Sequence, residues 1–386
     1  MHKVQLAYTL AAERASTADR ALHHPLLALL AALHATGSIS AAARRLELSY
    51  RHVWGELKRW EAELGQPLVL WAKGQPAALA PFGEKLLWAE RRALARLAPQ
   101  IEALRSELER AFALAFDDSA GVVTLFASFD EALPRLRDAV VPGLHLDLEF
   151  TGSVDALAAL NDGRCLLAGF HALTASKRGS PTALAYRGFL KPGRHKLIGF
   201  ARRAQGLIVA AGNPLGLGAL VDLARPGLRF ANGPRGSGTG VVLDELLAAA
   251  RIDRAAIEGI DRHERSHQAA AEAVASGSAD AAFGTLPTAQ ARGLDFVALA
   301  EERYFLVTLA AHLAHPHVLG LLEALQAAPW RAALDAIPGH AAERCGEVLS
   351  LSRVLPWWNY RKPKRAPASA GQDSAARRRP TSGATD

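Results

Sequence analysis

Hydroxyl side chains recur in this sequence at places where a predicted strand ends and a predicted helix begins. Backbone N–H groups at a helix N-terminus are unpaired, and together with nearby hydroxyls they can bind an oxygen-rich anion. The Gly-Ser-Gly-Thr-Gly loop at 236–240 offers two such hydroxyls in front of a predicted helix over 241–250. The sequence therefore predicts an oxyanion site built from Ser128, Ser153, Ser237, Thr239 and Ser266, with His171 as a further residue of the same cleft.

Two other interpretations of these loops stay open at this level. A glycine-rich turn with a capping Ser or Thr also forms where no ligand binds. Asp130, Glu131 and Asp155 lie in predicted first turns, where the helix dipole favours acids, so a carboxylate could take the place of the anion. The 236–240 loop lacks the Lys of a nucleotide-binding P-loop, and ATP is therefore not indicated.

Catalytic and metal-binding patterns are weak. His171, His263 and His267, with several Ser and Asp residues, could on paper form a hydrolase triad, but no Gly-x-Ser-x-Gly elbow follows a predicted strand and no His-Glu-x-x-His pair is present. Cys165 and Cys345 stand far apart and without neighbours at metal-ligand spacing, which predicts two buried, free thiols. We expect neither an enzyme nor a metal site, and no resident cofactor.

A second set of residues is suited to the phosphates and base edges of nucleic acid. Residues 37–65 predict two short helices around a tight turn, with Ser38 capping the first and Ser49 the second, although an ordinary amphipathic hairpin would show the same periodicity. In the second helix Val53, Leu57 and Trp60 repeat at helical spacing and should face a core. The residues expected to contact DNA are Ser38, Ser40, Arg44, Arg45, Ser49, Tyr50, Arg51, Trp54, Lys58, Arg59 and Lys73.

The surrounding pattern divides the chain into several parts. Residues 68–70 and 77–79 predict a two-stranded wing, and Pro81 begins a long helix to about residue 112. From residue 121 strands alternate with helices, which indicates an α/β segment of about 220 residues. The candidate strands are 122–126, 144–150, 165–170, 196–201, 206–211, 228–231, 259–261, 280–283, 295–299 and 304–309.

The long helix has more apolar residues than one small domain needs. Leu86, Leu87, Leu94, Leu97, Ile101, Leu104 and Leu108 follow helical spacing. The helix could be a connector lying on its own domain, but we favour a dimerisation helix, because two copies would place two recognition helices on one face of a duplex.

Charge separates the middle of the chain from its ends. Lys and Arg exceed Asp and Glu by 15 to 11 in residues 1–115 and by 8 to 2 in 353–386, whereas residues 116–352 hold 22 against 25. The basic N-terminal part suits nucleic acid, and the middle does not. No apolar run is long enough for a membrane span and no signal peptide is evident, so we expect a cytoplasmic protein without membrane contact.

The N-terminal motifs also carry a family resemblance. Gly-Ser-Ile-Ser-Ala-Ala-Ala-Arg-Arg-Leu at 37–46, Leu-Ser-Tyr-Arg-His-Val-Trp at 48–54, Glu-Leu-Gly-Gln-Pro-Leu at 63–68 and Pro-Phe-Gly-Glu-Lys-Leu at 81–86 resemble the winged helix-turn-helix of LysR-type regulators. The Ser-Tyr-Arg-x-x-Trp start of the second helix resembles most the molybdate-dependent (ModE-like) branch. Residues 230–239 and 266–284 resemble a periplasmic-binding-protein-like (type II) sensor domain, except that Gly240 stands where that pattern often has Arg. This resemblance implies two α/β lobes joined by crossing strands, with the ligand between the lobes and the crossover at 206–214.

This resemblance implies a ligand-responsive transcriptional regulator that binds double-stranded DNA as a homodimer and senses molybdate, tungstate or a similar oxyanion. The alternative is a small-molecule or molybdenum-cofactor (pterin) binding protein whose winged domain serves protein association. The predicted parts are a flexible arm (1–22), the winged domain (23–80), the linker helix (81–115), the sensor (120–350) and a basic, disordered tail (351–386).

Overall fold

The computed structural model describes residues 24–70, 76–116, 121–140, 143–173 and 176–358. The predicted arm at 1–22, the tip of the wing with Lys73, and the basic tail from residue 359 lie outside these described residues.

The N-terminal domain consists of three helices and a small two-stranded sheet. Helices α1 (Pro25–Thr36), α2 (Ile39–Arg45) and α3 (Tyr50–Leu64) are followed by strands β1 (Val69–Leu70) and β2 (Ala78–Leu79), which pair antiparallel. Ser38 and Ser49 accept hydrogen bonds from the backbone N–H groups of Ala41 and His52, so each caps its helix as predicted. Leucines of α1 pack with Val53 and Leu57 of α3 in one core. The predicted winged helix-turn-helix is confirmed.

No single helix among the described residues is long and apolar enough to cross a membrane. Helices α1 and α2 reach the required length and apolar content only when they are taken together, and the chain bends by 120° between them.

Helix α4 (Pro81–Phe116) connects the two domains and ends a little beyond the predicted residue 112. Its start packs against α1 and β2, and its later turns lie on the next domain. Leu87, Ala95 and Ser106 are buried on its inner side, whereas Leu97 and Leu104 are exposed.

The first lobe of the following domain has a parallel three-stranded core. Strand β3 (Gly121–Ala127) lies between β4 (Leu144–Phe150) and β5 (Leu167–Leu173). Helices α5 (Ala132–Ala139) and α6 (Ser153–Asn161) connect these strands, and α7 (Pro181–Arg187) follows β5. Apolar residues fill both faces of this sheet. Parallel strands place the loops that begin at Ser128 and Thr151 at one edge of the lobe.

Two long antiparallel strands join the lobes. Strands β6 (His195–Val209) and β9 (Asp295–Leu309) pair along their whole length, with register shifts at Gly199/Ala201 and Gln205/Gly206. The sequence predicted each of them as two separate strands, because polar residues interrupt the apolar pattern near Arg203 and Glu302. It also placed the crossover at 206–214, whereas the strands cross from one lobe to the other at about residues 199–206.

The second lobe is smaller. Strand β8 (Ala281–Thr285) pairs with β6 and with the short β7 (Phe230–Ala231). Helices α8 (Gly238–Ala250), α9 (His267–Ala275) and α10 (Leu286–Gln290) pack on this sheet. Residues 259–261, predicted as a strand, form a turn instead, with Gly259 in the left-handed region at φ +92°.

The end of the described chain returns to the first lobe. Helices α11 (Pro316–Gln326) and α12 (Ala328–Asp335) pack on it, and strands β10 (His340–Ala342) and β11 (Val348–Leu349) pair with β6. Helix α13 (Leu351–Val354) and a final turn bury Trp357 and Trp358 in the same lobe. Residues 351–358, which the sequence assigned to a disordered tail, are therefore part of the sensor, because their apolar side chains complete its core.

Candidate functional site

Four of the five predicted hydroxyl residues, Ser128, Ser153, Ser237 and Thr239, lie where the two lobes face each other. Ser128 follows β3 and Ser153 begins α6, and their hydroxyl oxygens lie 3.2 Å apart, both buried. Helix α6 begins after Gly152, which has no side chain to cap it. Its first-turn N–H groups and these two hydroxyls therefore form a cluster of donors at the edge of the first lobe.

The start of α8 closes over this cluster from the second lobe. A Cβ atom added to Gly238 would lie 2.0 Å from Cδ2 of His171 and 2.8 Å from the Ser153 hydroxyl oxygen. Likewise, a Cβ on Gly152 would lie 2.8 Å from the carbonyl oxygen of Gly236. Only glycine allows the backbones to approach so closely, so the glycines of the 236–240 loop determine that the cleft can close.

Ser237 and Thr239 lie in this closing loop and are buried. The Ser237 hydroxyl accepts a hydrogen bond from the Gly240 N–H at 3.1 Å and caps α8. The Thr239 hydroxyl accepts from Nε2 of Gln205 at 3.4 Å, which links it to the crossing strand β6.

Ser266 does not join this group, contrary to the prediction. Its hydroxyl caps α9 and donates to the carbonyl oxygen of Ala95 in α4. The local pattern of a strand followed by a capped helix is the same as in the other loops. However, the N-terminus of α9 packs on the linker helix.

The floor of the cleft is a buried ionic network that the sequence did not reveal. Arg203 of β6 donates to the carboxylates of Asp130 and of Glu302, and its Nη2 lies 3.0 Å from Nδ1 of His171. Nε2 of His340 lies 3.1 Å from Asp130, and Nε2 of Gln205 donates to Glu302 at 2.7 Å. The sequence held one sign of this network: a charged residue interrupts the apolar pattern of each crossing strand, Arg203 in β6 and Glu302 in β9.

These contacts determine the protonation of the network. Burial alone would raise the pKa of Asp130, but the charges of His340 and Arg203 outweigh burial and hold this pKa well below its usual value. Burial and the charge of Arg203 lower the pKa of His171, so His171 is neutral. The pKa of His340 is raised, since the Asp130 carboxylate outweighs the effect of burial. Arg203 is thus neutralised by the protein's own carboxylates.

Asp130 also bears on the alternative that an acid takes the place of the anion. Its Oδ1 accepts the N–H of Ala132 at 2.8 Å, at the start of α5. This helix N-terminus is occupied by a carboxylate of the chain. At the start of α6, Gly152 makes no capping hydrogen bond, and Asp155 lies in the first turn.

Several buried polar atoms in the cleft have no hydrogen-bond partner among the described residues. They include Oε1 of Gln205, Oε2 of Glu302 and the Tyr304 hydroxyl. Such atoms are costly to bury, and a ligand or water can satisfy them. Within the part of the chain that the structure describes, no group of three or more His, Cys, Asp or Glu residues is arranged to hold a metal ion.

The candidate DNA-binding face lies on α3. Tyr50 and Trp54 are 53% and 44% exposed, and Arg51 is exposed beside them. Lys58 pairs with Glu61 at 2.8 Å and Arg59 with Glu56 at 2.6 Å. The free donors of this face are therefore concentrated at the start of the helix.

The remaining predicted DNA contacts lie near α2. Ser40, Arg44 and Arg45 are exposed on that helix, and the hydroxyls of Ser38 and Ser49 cap α2 and α3. Lys73 is outside the described residues, so its prediction is untested.

A known protein family matches each of the two domains. Residues 24–84 match the family described as bacterial regulatory helix-turn-helix protein, lysR family, and residues 135–326 match the PBP superfamily domain. The chain is 30% identical over 201 residues to the uncharacterized protein YvgK of Bacillus subtilis (strain 168), covering 52% of this chain and 64% of YvgK.

Two further relatives come from other bacteria. An uncharacterized protein in the ferredoxin 2Fe-2S gene 5′ region of Clostridium pasteurianum is 30% identical over 111 residues, 28% of this chain and 98% of its own length. The molybdenum-pterin-binding protein MopB of Rhodobacter capsulatus is 46% identical over 65 residues, 16% of this chain and 24% of MopB. The chain thus spans less than two thirds of YvgK and only a quarter of MopB.

Proposed function

We propose that this chain, which joins a helix-turn-helix of the lysR family to a PBP superfamily domain, is a regulator of transcription that responds to a small ligand. In this proposal the N-terminal domain binds operator DNA and the two-lobed domain binds the effector. The protein is a binding protein without a catalytic step, and it acts in the cytoplasm, where its DNA is.

The exposed start of α3 supports DNA binding. Arg51 can form two hydrogen bonds with a guanine, and Tyr50 and Trp54 present large exposed surfaces beside it. The neighbouring arginines of α2, Arg44 and Arg45, suit phosphate contacts.

The outer side of α4 supports a homodimer. Leu97 and Leu104 are 42% and 53% exposed on the side that faces away from Ala95 and Ser106. Exposed leucines at a spacing of seven residues form a seam that a second copy of the helix can cover.

The effector we propose is a small oxyanion, with molybdate and tungstate first. The observation that carries this proposal is the buried pair of Ser128 and Ser153 hydroxyls at the uncapped start of α6, covered by the start of α8. Arg203 is already paired with two carboxylates, so the anion would be held by neutral donors. The partial similarity to MopB, whose name states that it binds a molybdenum pterin, supports a ligand related to molybdenum.

A pterin is the second candidate, and a different observation favours it. Oε1 of Gln205 and Oε2 of Glu302 are buried acceptors for which the described part of the chain supplies no donor. The N–H groups of a pterin ring could donate to both. The closely packed cleft would have to open to admit such a ring, which makes the smaller anion the first choice.

Titration of the full chain separates these ligands. Molybdate, tungstate, sulfate and a pterin are added in turn, and heat release and thermal stabilisation are measured. Ser153→Ala should weaken molybdate binding about tenfold, because one hydrogen bond to a charged acceptor is lost. The matched control Ser352→Ala, on an exposed residue of α13, should bind as the parent does. A response to the pterin alone would replace the oxyanion by the second candidate.

A further inference from the structure

Helix α4 contacts the two lobes at two separate places. The first lies in its middle, where the Ser266 hydroxyl of the second lobe donates to the carbonyl oxygen of Ala95. The neighbouring Arg96 forms an ion pair with Glu264 at 3.4 Å. Residues 95–96 are thus held by the second lobe.

The second place lies further along α4, on the first lobe. The Ser106 hydroxyl accepts the Leu148 N–H of strand β4 at 2.8 Å, and Glu102 pairs with Arg137 of α5 at 3.2 Å. Arg137 is buried and also lies 3.3 Å from Glu109. Residues 102–109 are therefore held by the first lobe.

Pro99 lies between these two contacts, inside the helix. A proline has no backbone N–H, so the carbonyl of Ala95, four residues earlier, loses its donor within the helix. The Ser266 hydroxyl supplies the replacement donor from the second lobe. The contact with the lobe is thus made at the point where proline has interrupted the helical hydrogen bonds.

We propose that Pro99 and Ser266 are positioning residues that couple the cleft to the DNA-binding domain. When the lobes move apart, each lobe carries its own segment of α4, and the helix bends at Pro99, where it is weakest. The first half of α4 packs against α1 and β2, so this bend reorients the helix-turn-helix. The coupling rests on the proposed function, in which a ligand closes the lobes.

A wedge in the cleft tests this coupling without any ligand. Gly238→Val places a side chain against His171 and Ser153 and should hold the lobes apart. Gly238→Ala is a smaller wedge that keeps the test possible if the valine variant does not fold. Gly188→Val is the matched control, since Gly188 has an ordinary helical φ of −66° and its Cβ would meet open space.

The measurement is hydrogen exchange of the α4 amides between residues 96 and 104 in the full chain. A wedge should speed this exchange at least about fivefold relative to the control, because bending opens the helical hydrogen bonds near Pro99. Pro99→Ala restores the missing N–H, and in this background the wedge should change the exchange by less than about twofold. Gln100→Ala, one residue away, should leave the effect of the wedge intact.

Ser266 gives an independent arm. Ser266→Ala should reduce the effect of the wedge, whereas Ser266→Thr, which keeps the hydroxyl, should restore it. An effect of the wedge that is equal with and without Pro99, or absent in both Gly238 variants, would overturn the coupling. A wild type that ignores molybdate while the wedge still acts through Pro99 would overturn only the choice of ligand.

Discussion

The exposed seam of α4 provides the sharpest prediction about assembly. Leu97 lies nine residues before the buried Ser106, and Leu104 lies nine residues after the buried Ala95. Nine residues are about two and a half helical turns, so both leucines lie on the side of the helix opposite the buried residues. Since the inner side is already covered by the chain's own lobes, a dimer through α4 must use the outer side. Replacing both leucines by Glu should therefore yield monomers.

The expected loss of dimer stability follows from how exposed Leu97 and Leu104 are. A leucine that goes from water to a fully buried position gains roughly 1.5–3 kcal/mol. About half of each side chain is still accessible, so each contributes about 1 kcal/mol in a dimer, and the four copies together about 4 kcal/mol. This corresponds to a dimer dissociation constant raised about a thousandfold, and the glutamate charges in the seam increase it further.

Sedimentation equilibrium of the full chain over a range of micromolar concentrations measures this constant. Leu184→Glu is the control, because Leu184 is 69% exposed on α7 and away from the seam. A double variant that still dimerises as tightly as the parent, with the control unchanged, would show that the dimer contact lies elsewhere.

Two further expectations concern DNA and pH. Arg51→Ala should weaken operator binding by about 1–3 kcal/mol and relax base preference. Arg59→Ala should have little effect on operator binding, because Arg59 is paired with Glu56. Equal losses of affinity in the two variants, measured by fluorescence anisotropy, would contradict this assignment. Burial and the charge of Arg203 lower the pKa of His267 from 6.5 to about 4. Between these two pH values the unfolded chain binds a proton that the folded chain does not. The free energy of unfolding should therefore fall by up to about 3 kcal/mol as the pH drops from 6.5 to about 4. In urea unfolding, the His267→Gln variant should lose less stability over the same pH range than the parent does. An equal loss of stability in both proteins would refute the role of His267.

Local sequence patterns determined much of the architecture. Ser38 and Ser49 cap the helices of the helix-turn-helix, and Val53 and Leu57 face its core, because capping and amphipathic spacing depend on residues a few positions apart. For the same reason the sequence located the loops before α6 and α8. The predicted α/β character of the second domain is confirmed.

The contents of the cleft were decided by tertiary structure. Arg203 meets Asp130 and Glu302, which are 73 and 99 residues away along the chain, and no short-range pattern encodes such a contact. The same polar residues made two continuous strands look like four. Ser266 shows the limit most clearly: its sequence predicted a helix cap correctly, but only the packing of α9 decided that its hydroxyl faces Ala95 and not the cleft. A cap is fixed by neighbours in sequence, whereas its partner across space depends on how distant elements pack.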